Sequence, residues 1–199
     1  MTARSLALIV EGHGEVQALP VLLRRLLPHP MTLLSPPFRM KRGQMRDVKR
    51  LQAAVGFAVG RTSKDDAVLI VLDADDDCAV RLGDEVLGHA RAAGHDRRVA
   101  VVVATREYEA WLVAGASGLA GKRGLPPDLA PPKEPDKLKN PKAWLSERMP
   151  RGYRETLDQP AFSQTMDLGA AAKSRSFRKL MKEVARLANP RAVPAGPGR

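Results

Sequence analysis

Acidic residues recur in this sequence where oxygen ligands for a cation would be useful. Asp73, Asp75, Asp76 and Asp77 crowd the end of the stretch 67–77, AVLIVLDADDD. Carboxylates this close repel one another, and a protein keeps them together only where a cation, a proton or open water offsets the charge. Hard divalent ions such as Mg²⁺ take oxygen ligands, so a metal site is one reading. The plainer one is a solvated loop that caps a helix N-terminus. Further acids stand at Glu11 and Glu15 in VEGHGE, and at Glu107 and Glu109 in TREYEAW.

Each acidic group follows an apolar run: SLALIV (5–10), AVLIVL (67–72) and VAVVVA (99–104). Such runs read as strands buried on both faces, the habit of parallel sheets under helices, and open α/β sheets place ligand sites beyond the carboxyl ends of their strands. On an extended backbone Asp73 and Asp75 share one side. Glu15, one helical turn after Glu11, can point back to it. Glu107 follows the third strand, with Glu109 opposite if the chain stays extended and nearby if it turns helical. Tyr108, Trp111 and Leu112 read as core.

Helices are expected over 15–27, 45–60, 79–93 and 174–188, with Val48, Leu51, Val55 and Val59 inward on the second and Phe177, Leu180, Met181, Val184 and Leu187 on the last. Pro20 should kink the first helix or delay its start. Pro36 and Pro37 reduce 32–40 to a poor strand at an edge. Strands alternating with helices predict a doubly wound α/β fold with a mainly parallel four-stranded sheet. Strand order 2-1-3-4 would bring the acids of the first and third strands to one mouth of the sheet, an arrangement suited to two-metal phosphodiester chemistry. Residues 1–114 would form this domain, 115–188 a loop-rich and helical C-terminal extension packed on it, and 189–199 a disordered tail.

The chain of 199 residues has a formal net charge of +11 and a pI near 10.3, which favours a polyanionic partner, nucleic acid before membrane. Arg39, Lys41, Arg42, Arg46, Lys49 and Arg50 form a dense basic patch with Asp47 as its one acid, a candidate for phosphate contacts. Aromatic content of 4% argues against base stacking. With no apolar run long enough to cross a bilayer and no signal peptide, a cytoplasmic location is expected. The single cysteine, Cys78, reads as a small buried hydrophobe and excludes a Cys-based zinc site. Without G-x-G-x-x-G or G-K-[ST], the turn at Gly12 and Gly14 is a weak nucleotide site.

The glutamate after the first strand and the Asp-x-Asp after the third resemble the Toprim pattern of topoisomerases, bacterial primases, recombination proteins and OLD-family nucleases. More narrowly, IVEGHGE, VLDADDD, REYEAWL and the late segment from Tyr153 through RSFRKL resemble a bacterial Toprim-like family known as domain of unknown function 4276. The resemblance implies metal-dependent cleavage of DNA or RNA, in phage defence or repair. It implies Glu11, Asp73 and Asp75 as catalytic residues, and Glu15 and Glu107 as further ligands for two Mg²⁺ or Mn²⁺ ions. A late catalytic lysine is also implied, for which Lys173 and Lys179 are candidates, Lys179 being preferred. Lys173 and Arg175 join the candidate nucleic-acid contacts. A separately encoded ATPase and a second copy in a homodimer are candidate partners.

Two rivals remain. One is a degenerate Toprim module that binds nucleic acid or an ATPase without cutting. The other is a metal-dependent sugar-nucleotide transferase, which would leave Glu11 and Glu107 without a purpose. A salt-bridged arginine filling the acidic mouth would count against the cutting enzyme.

Overall fold

In the computed structural model the structure describes residues 4–27, 31–60, 67–92 and 99–189. β1 (Arg4–Val10), β4 (Ala67–Asp73) and β5 (Val99–Ala104) are the three apolar runs. They pair in parallel, β1 with β4 and β4 with β5. The second strand is broken into β2 (Met31–Leu33) and β3 (Phe38–Arg39), both parallel to β1 on its other side. Pro36 and Pro37 fall in the break, where they take amide donors out of the ladder. The order is therefore the expected 2-1-3-4, with the second strand in two pieces.

Helices cover both faces. Side chains alternate across the pleat, so Leu69 and Val71 of β4 enter one core with Leu19 and Leu22 of α1 (Glu15–Leu26), while Val68, Ile70 and Leu72 enter another with Leu51 and Val55 of α3 (Val48–Gly60) and Leu82 and Val86 of α4 (Ala79–Arg91). The expected helix over 45–60 is two, the short α2 (Arg42–Met45) preceding α3. Val48, expected inward, is largely exposed; it begins α3, where fewer neighbours cover it. Val59 lies outside the described side chains. α1 starts at Glu15 with Pro20 buried inside it.

The stretch after α5 (Glu109–Ala114) is more ordered than its glycines and prolines suggest. Leu119, Leu125 and Leu129 are buried in the first core. α6 (Pro141–Ser146) opens on Asn140, whose side chain accepts the Ala143 amide, with Pro141 in the first turn, the standard chemistry of a helix start. α7 (Glu155–Thr165), which hydrophobic periodicity does not announce, packs on α1. Arg25 of α1 donates to the Ser163 and Met166 carbonyls at 2.9 Å each, binding the orphan acceptors at the end of α7. After the short α8 (Leu168–Ala171), α9 (Arg175–Ala188) is capped by Ser174 and buries Phe177, Leu180, Val184 and Leu187. Met181 is partly exposed, a correction to its expected burial.

Trp111 and Tyr108 are fully buried, with partners at Ser176 and Ser163. The extension thus shares the core of the sheet. Of the expected tail, 189–199, Asn189 closes α9 and the rest lies outside the described residues. No helix among the described residues is long and apolar enough to cross a membrane.

Candidate functional site

β1 ends at Val10, and Glu11 turns over the mouth of the sheet. Its Oε2 accepts the Asp73 amide at 3.2 Å, which ties the ends of β1 and β4 together. The first residue of α1 folds back as its spacing suggested: Glu15 Oε2 accepts the amides of Glu11 at 3.1 Å and Gly12 at 3.3 Å. Glu15 is only 2% exposed. α7 comes so close to this turn that a Cβ on Gly14 would press on the side chains of Gln159 and Glu155, which would have to shift. The Gly14 amide donates to Glu155 Oε1 at 3.1 Å.

Asp73 closes β4, and its Oδ1 is buried without a partner. Beyond it the chain does not stay extended. Asp75 has φ 46°, a left-handed conformation that aspartate tolerates better than most residues, and the Asp77 amide bonds the Ala74 carbonyl at 2.8 Å to close a turn. The expectation that Asp73 and Asp75 share one side of a strand is therefore corrected. Asp73 is half-buried, whereas Asp75 is exposed. Arg106, itself at φ 65°, clamps this loop: its carbonyl accepts the Asp75 amide at 2.8 Å, its Nη1 donates to the Asp75 carbonyl at 3.2 Å, and it pairs with Asp76.

These elements enclose a cavity of about 480 Å³. Glu11, Glu15, Asp73 and Asp75 line it, joined by Glu109, Glu155 and Gln159. α5 turns helical at once, which brings Glu109 rather than Glu107 into the lining, buried to 1% exposure. Glu107 lies outside the lining but close enough to Asp75 and Lys142 to feel their charge, with Oε2 buried and unpartnered.

Burial shifts the inner acids towards their protonated forms. Burial above all, with the charges of Glu11 and Glu109 adding to it, pushes Glu15 up to about 8 against the lowering pull of the Gly12 and Glu11 amides. Burial and the charges of Glu15, Glu109 and Glu11 raise Asp73 well above the carboxylate range. Burial also raises Glu11 and Glu109, against the opposing pull of Arg42 and Lys142 respectively.

Two cations answer these acids. Arg42, at the start of α2, sets Nη2 2.6 Å from Asp75 Oδ2, Nε 3.5 Å from Glu11 Oε1 and Nη1 3.6 Å from Asp77 Oδ2. The residue expected to bind phosphate thus fills the mouth instead. Lys142, in the first turn of α6, lies 3.1 Å from Glu155 and 3.9 Å from Glu109. Burial would lower its ammonium, but Glu109 and Glu155 outweigh this and hold it above its ordinary value.

Other expected contacts lie elsewhere. Arg39 and Lys41 line the cavity, Arg39 donating to the Glu11 carbonyl at 3.4 Å. Arg46 pairs with Glu85 at 2.8 Å, Arg50 with Asp47 at 3.9 Å, and Lys49 is exposed. Lys173 and Arg175 are exposed around the start of α9, where the Arg175 amide bonds Asp136. Lys179 is not part of the lining; its ammonium lies beside Gly83 of α4. The lysine at the acids is Lys142, which falls in the stretch expected to be loop-rich, although Asn140-Pro141 just before it signals a helix start. Glu155 and Gln159 were passed over with α7. Cys78 is exposed, not buried; it stands just before α4, and the amide of Arg81, then its side chain and the Val80 amide, lower its thiol.

With Glu11 and Asp75 turned to Arg42, no group of three acids, histidines or cysteines among the described residues is placed to hold a metal ion as it stands. The donors nevertheless suit a hard cation, being carboxylate oxygens, one of them orphaned on Asp73. Fold and site together define a parallel α/β protein with an acidic cavity at its strand ends. The chain belongs to the family described as Domain of unknown function (DUF4276), whose model matches residues 10–185. Searches of curated proteins and of solved structures match nothing.

Proposed function

We propose that this protein is a metal-dependent phosphodiesterase of the Toprim-like nuclease type, acting on DNA or RNA at the cavity beyond β1, β4 and β5. The observation that carries this reading is the buried, partnerless Oδ1 of Asp73 in a site where the charges of Glu15, Glu109 and Glu11 all bear on that carboxylate. A carboxylate left so in an acidic surrounding is stabilised by a proton or by a cation. Glu11, Asp73 and Asp75 would hold Mg²⁺ or Mn²⁺, with Glu15 and Glu109 behind them. When bound, such ions lower the pKa of water and offset charge on a leaving oxygen. Lys142 presents a held positive charge at the same cavity, suited to a phosphate oxygen. The basic edge at Arg39 and Lys41 would bind the backbone on either side. A separately encoded ATPase and a role in phage defence or repair extend the reading through its likeness to OLD-type nucleases.

Arg42 favours a second reading. A guanidinium already paired with Glu11, Asp75 and Asp77 neutralises the mouth without metal, as a binding module that does not cut would do. One experiment separates the two. Protein with Mn²⁺ or Mg²⁺ is incubated with plasmid DNA and with RNA, alongside Glu11→Gln and Asp73→Asn. Cleavage that both substitutions abolish is expected. Absence of product in every divalent metal, with nucleic acid still bound, would replace the nuclease with the module.

A further inference from the structure

A second cavity, of about 310 Å³, opens beside the start of α7. Arg123, Arg151 and Arg154 line it, and the acid among its lining residues is Asp158. Asp158 is buried, and both of its oxygens are committed: Oδ1 accepts Arg123 Nε at 2.6 Å, and Oδ2 accepts the Arg154 amide at 2.7 Å. Arg154 Nε stands 4.0 Å from the same Oδ2. Two guanidinium groups from separate segments therefore converge on one carboxylate. An ion pair that only fastened the loop to α7 would need Arg123 alone. Arg123 pairs through Nε, which leaves both of its Nη groups without a partner among the described residues. Arg151 has no ion pair or hydrogen bond among them at all. The backbone is bent to present these groups, with Arg123 at φ 53° and Gly124 at φ 86°. A left-handed arginine is uncommon and persists only where its surroundings hold it.

We infer that this cavity is a binding site for a phosphate group in its dianionic form, separate from the acidic cavity and independent of the reaction proposed there. Three permanent positive charges share the lining with one carboxylate, an excess of two. A phosphate monoester brings roughly two negative charges and three strong acceptor oxygens, which match that excess and the three arginines. Guanidinium forks suit such oxygens. A carboxylate ligand would answer only half of the excess, and a cation would be repelled. The two cavities adjoin, because Glu155 and Gln159 of α7 line the acidic one while Arg154 and Asp158, the positions just before them, line this one. The same chemistry is carried by the terminal phosphate of a nucleic acid strand that runs on to the acidic cavity and by a free nucleotide.

The test is calorimetric titration of full-length protein in EDTA with inorganic phosphate and with thymidine monophosphate, beside fluorescence anisotropy of two oligothymidylates identical but for a terminal phosphate. One phosphate binds per chain, and Arg151→Ala and Arg154→Ala each weaken it by about tenfold, the effect of losing one charge-assisted hydrogen bond. Arg154→Ala keeps the amide that Asp158 needs. Arg123→Lys, which retains a charge for the buried carboxylate but loses the fork, weakens phosphate as well. Lys142→Gln, at the acidic cavity, does not. A preference for the phosphorylated strand that Arg151→Ala abolishes identifies a strand end as the source, and binding of the monophosphate without such a preference identifies a free nucleotide. Failure of both inorganic phosphate and the monophosphate to bind would overturn the inference, as would binding that the three arginine variants leave intact or that Lys142→Gln removes. With no divalent ion present cleavage is not read, so failure here leaves the proposed chemistry standing, and failure of that chemistry leaves this site standing.

Discussion

The two sides of the acidic mouth solve the same electrostatic problem differently. On the outer side Asp75, Asp76 and Asp77 are exposed, and each has an arginine: Arg42 for Asp75 and Asp77, Arg106 for Asp76. On the inner side Glu15, Asp73 and Glu109 are packed under the turn and α7, where burial raises all three towards the protonated form. Lys142 reaches only the Glu109 end of that group. Water and arginine satisfy the outer acids, while the inner ones remain short of positive charge. On the proposed reading a cation would answer the charge-starved inner acids through Asp73, with Glu11 and Asp75 beside it and Asp76 and Asp77 outside it. Arg42 belongs to both sides, since it also reaches Glu11.

Arg42 is consequently where the comparison is easiest to break. If its guanidinium competes with an ion for Glu11 and Asp75, Arg42→Ala tightens Mn²⁺ binding by about tenfold, the scale expected for removing one opposing charge at short range. Titration followed by the paramagnetic resonance of free Mn²⁺ checks it without any cleavage assay. Weaker binding in Arg42→Ala would mean that the arginine arranges the acids instead of opposing the ion, and the inner and outer sets would have to be treated as one.

A smaller effect concerns pH. Glu15 is raised from 4.5 to about 8 by burial, so between these values the folded chain holds a proton that the unfolded chain has released. Stability from this group is full below about 4.5 and is lost as pH climbs through about 8. The melting temperature of metal-free protein should fall over that window, and Glu15→Gln, which carries no titrating group, should flatten the fall. A slope that survives the substitution would move the proton demand to Asp73 or Glu109.

The contrast between the two sides also separates what the sequence could reveal from what it could not. The sheet was legible because β1, β4 and β5 are apolar throughout, and buried parallel strands must be. Glu11 and Asp73 follow directly, as strand-end residues on neighbours in the order 2-1-3-4. Glu15 was legible from helical spacing. The fate of Asp75 was hidden, because whether a strand continues or turns left-handed depends on Arg106, thirty-one residues away. α7 was hidden for another reason: its helix is held by α1 through Arg25 and not by an apolar stripe of its own, so Glu155 and Gln159 reached the cavity unannounced. Arg42 was readable as a cation but not as a partner, since its partners come from β1 and the loop after β4.

The least effect is expected at Asp76. Its side chain is 99% exposed although it pairs with Arg106, and an ion pair in open solvent is screened and contributes little. The loop does not depend on it. The Asp75 amide bonds the Arg106 carbonyl at 2.8 Å, and Arg106 Nη1 keeps the Asp75 carbonyl at 3.2 Å. Asp76→Asn should therefore leave both the melting temperature and Mn²⁺ affinity where they were at physiological salt. A loss of Mn²⁺ affinity in this variant would bring Asp76 into ion binding beside Asp75 and erase the distinction between the two sides, because nothing but long-range charge or a rearranged loop could connect Asp76 to the buried set.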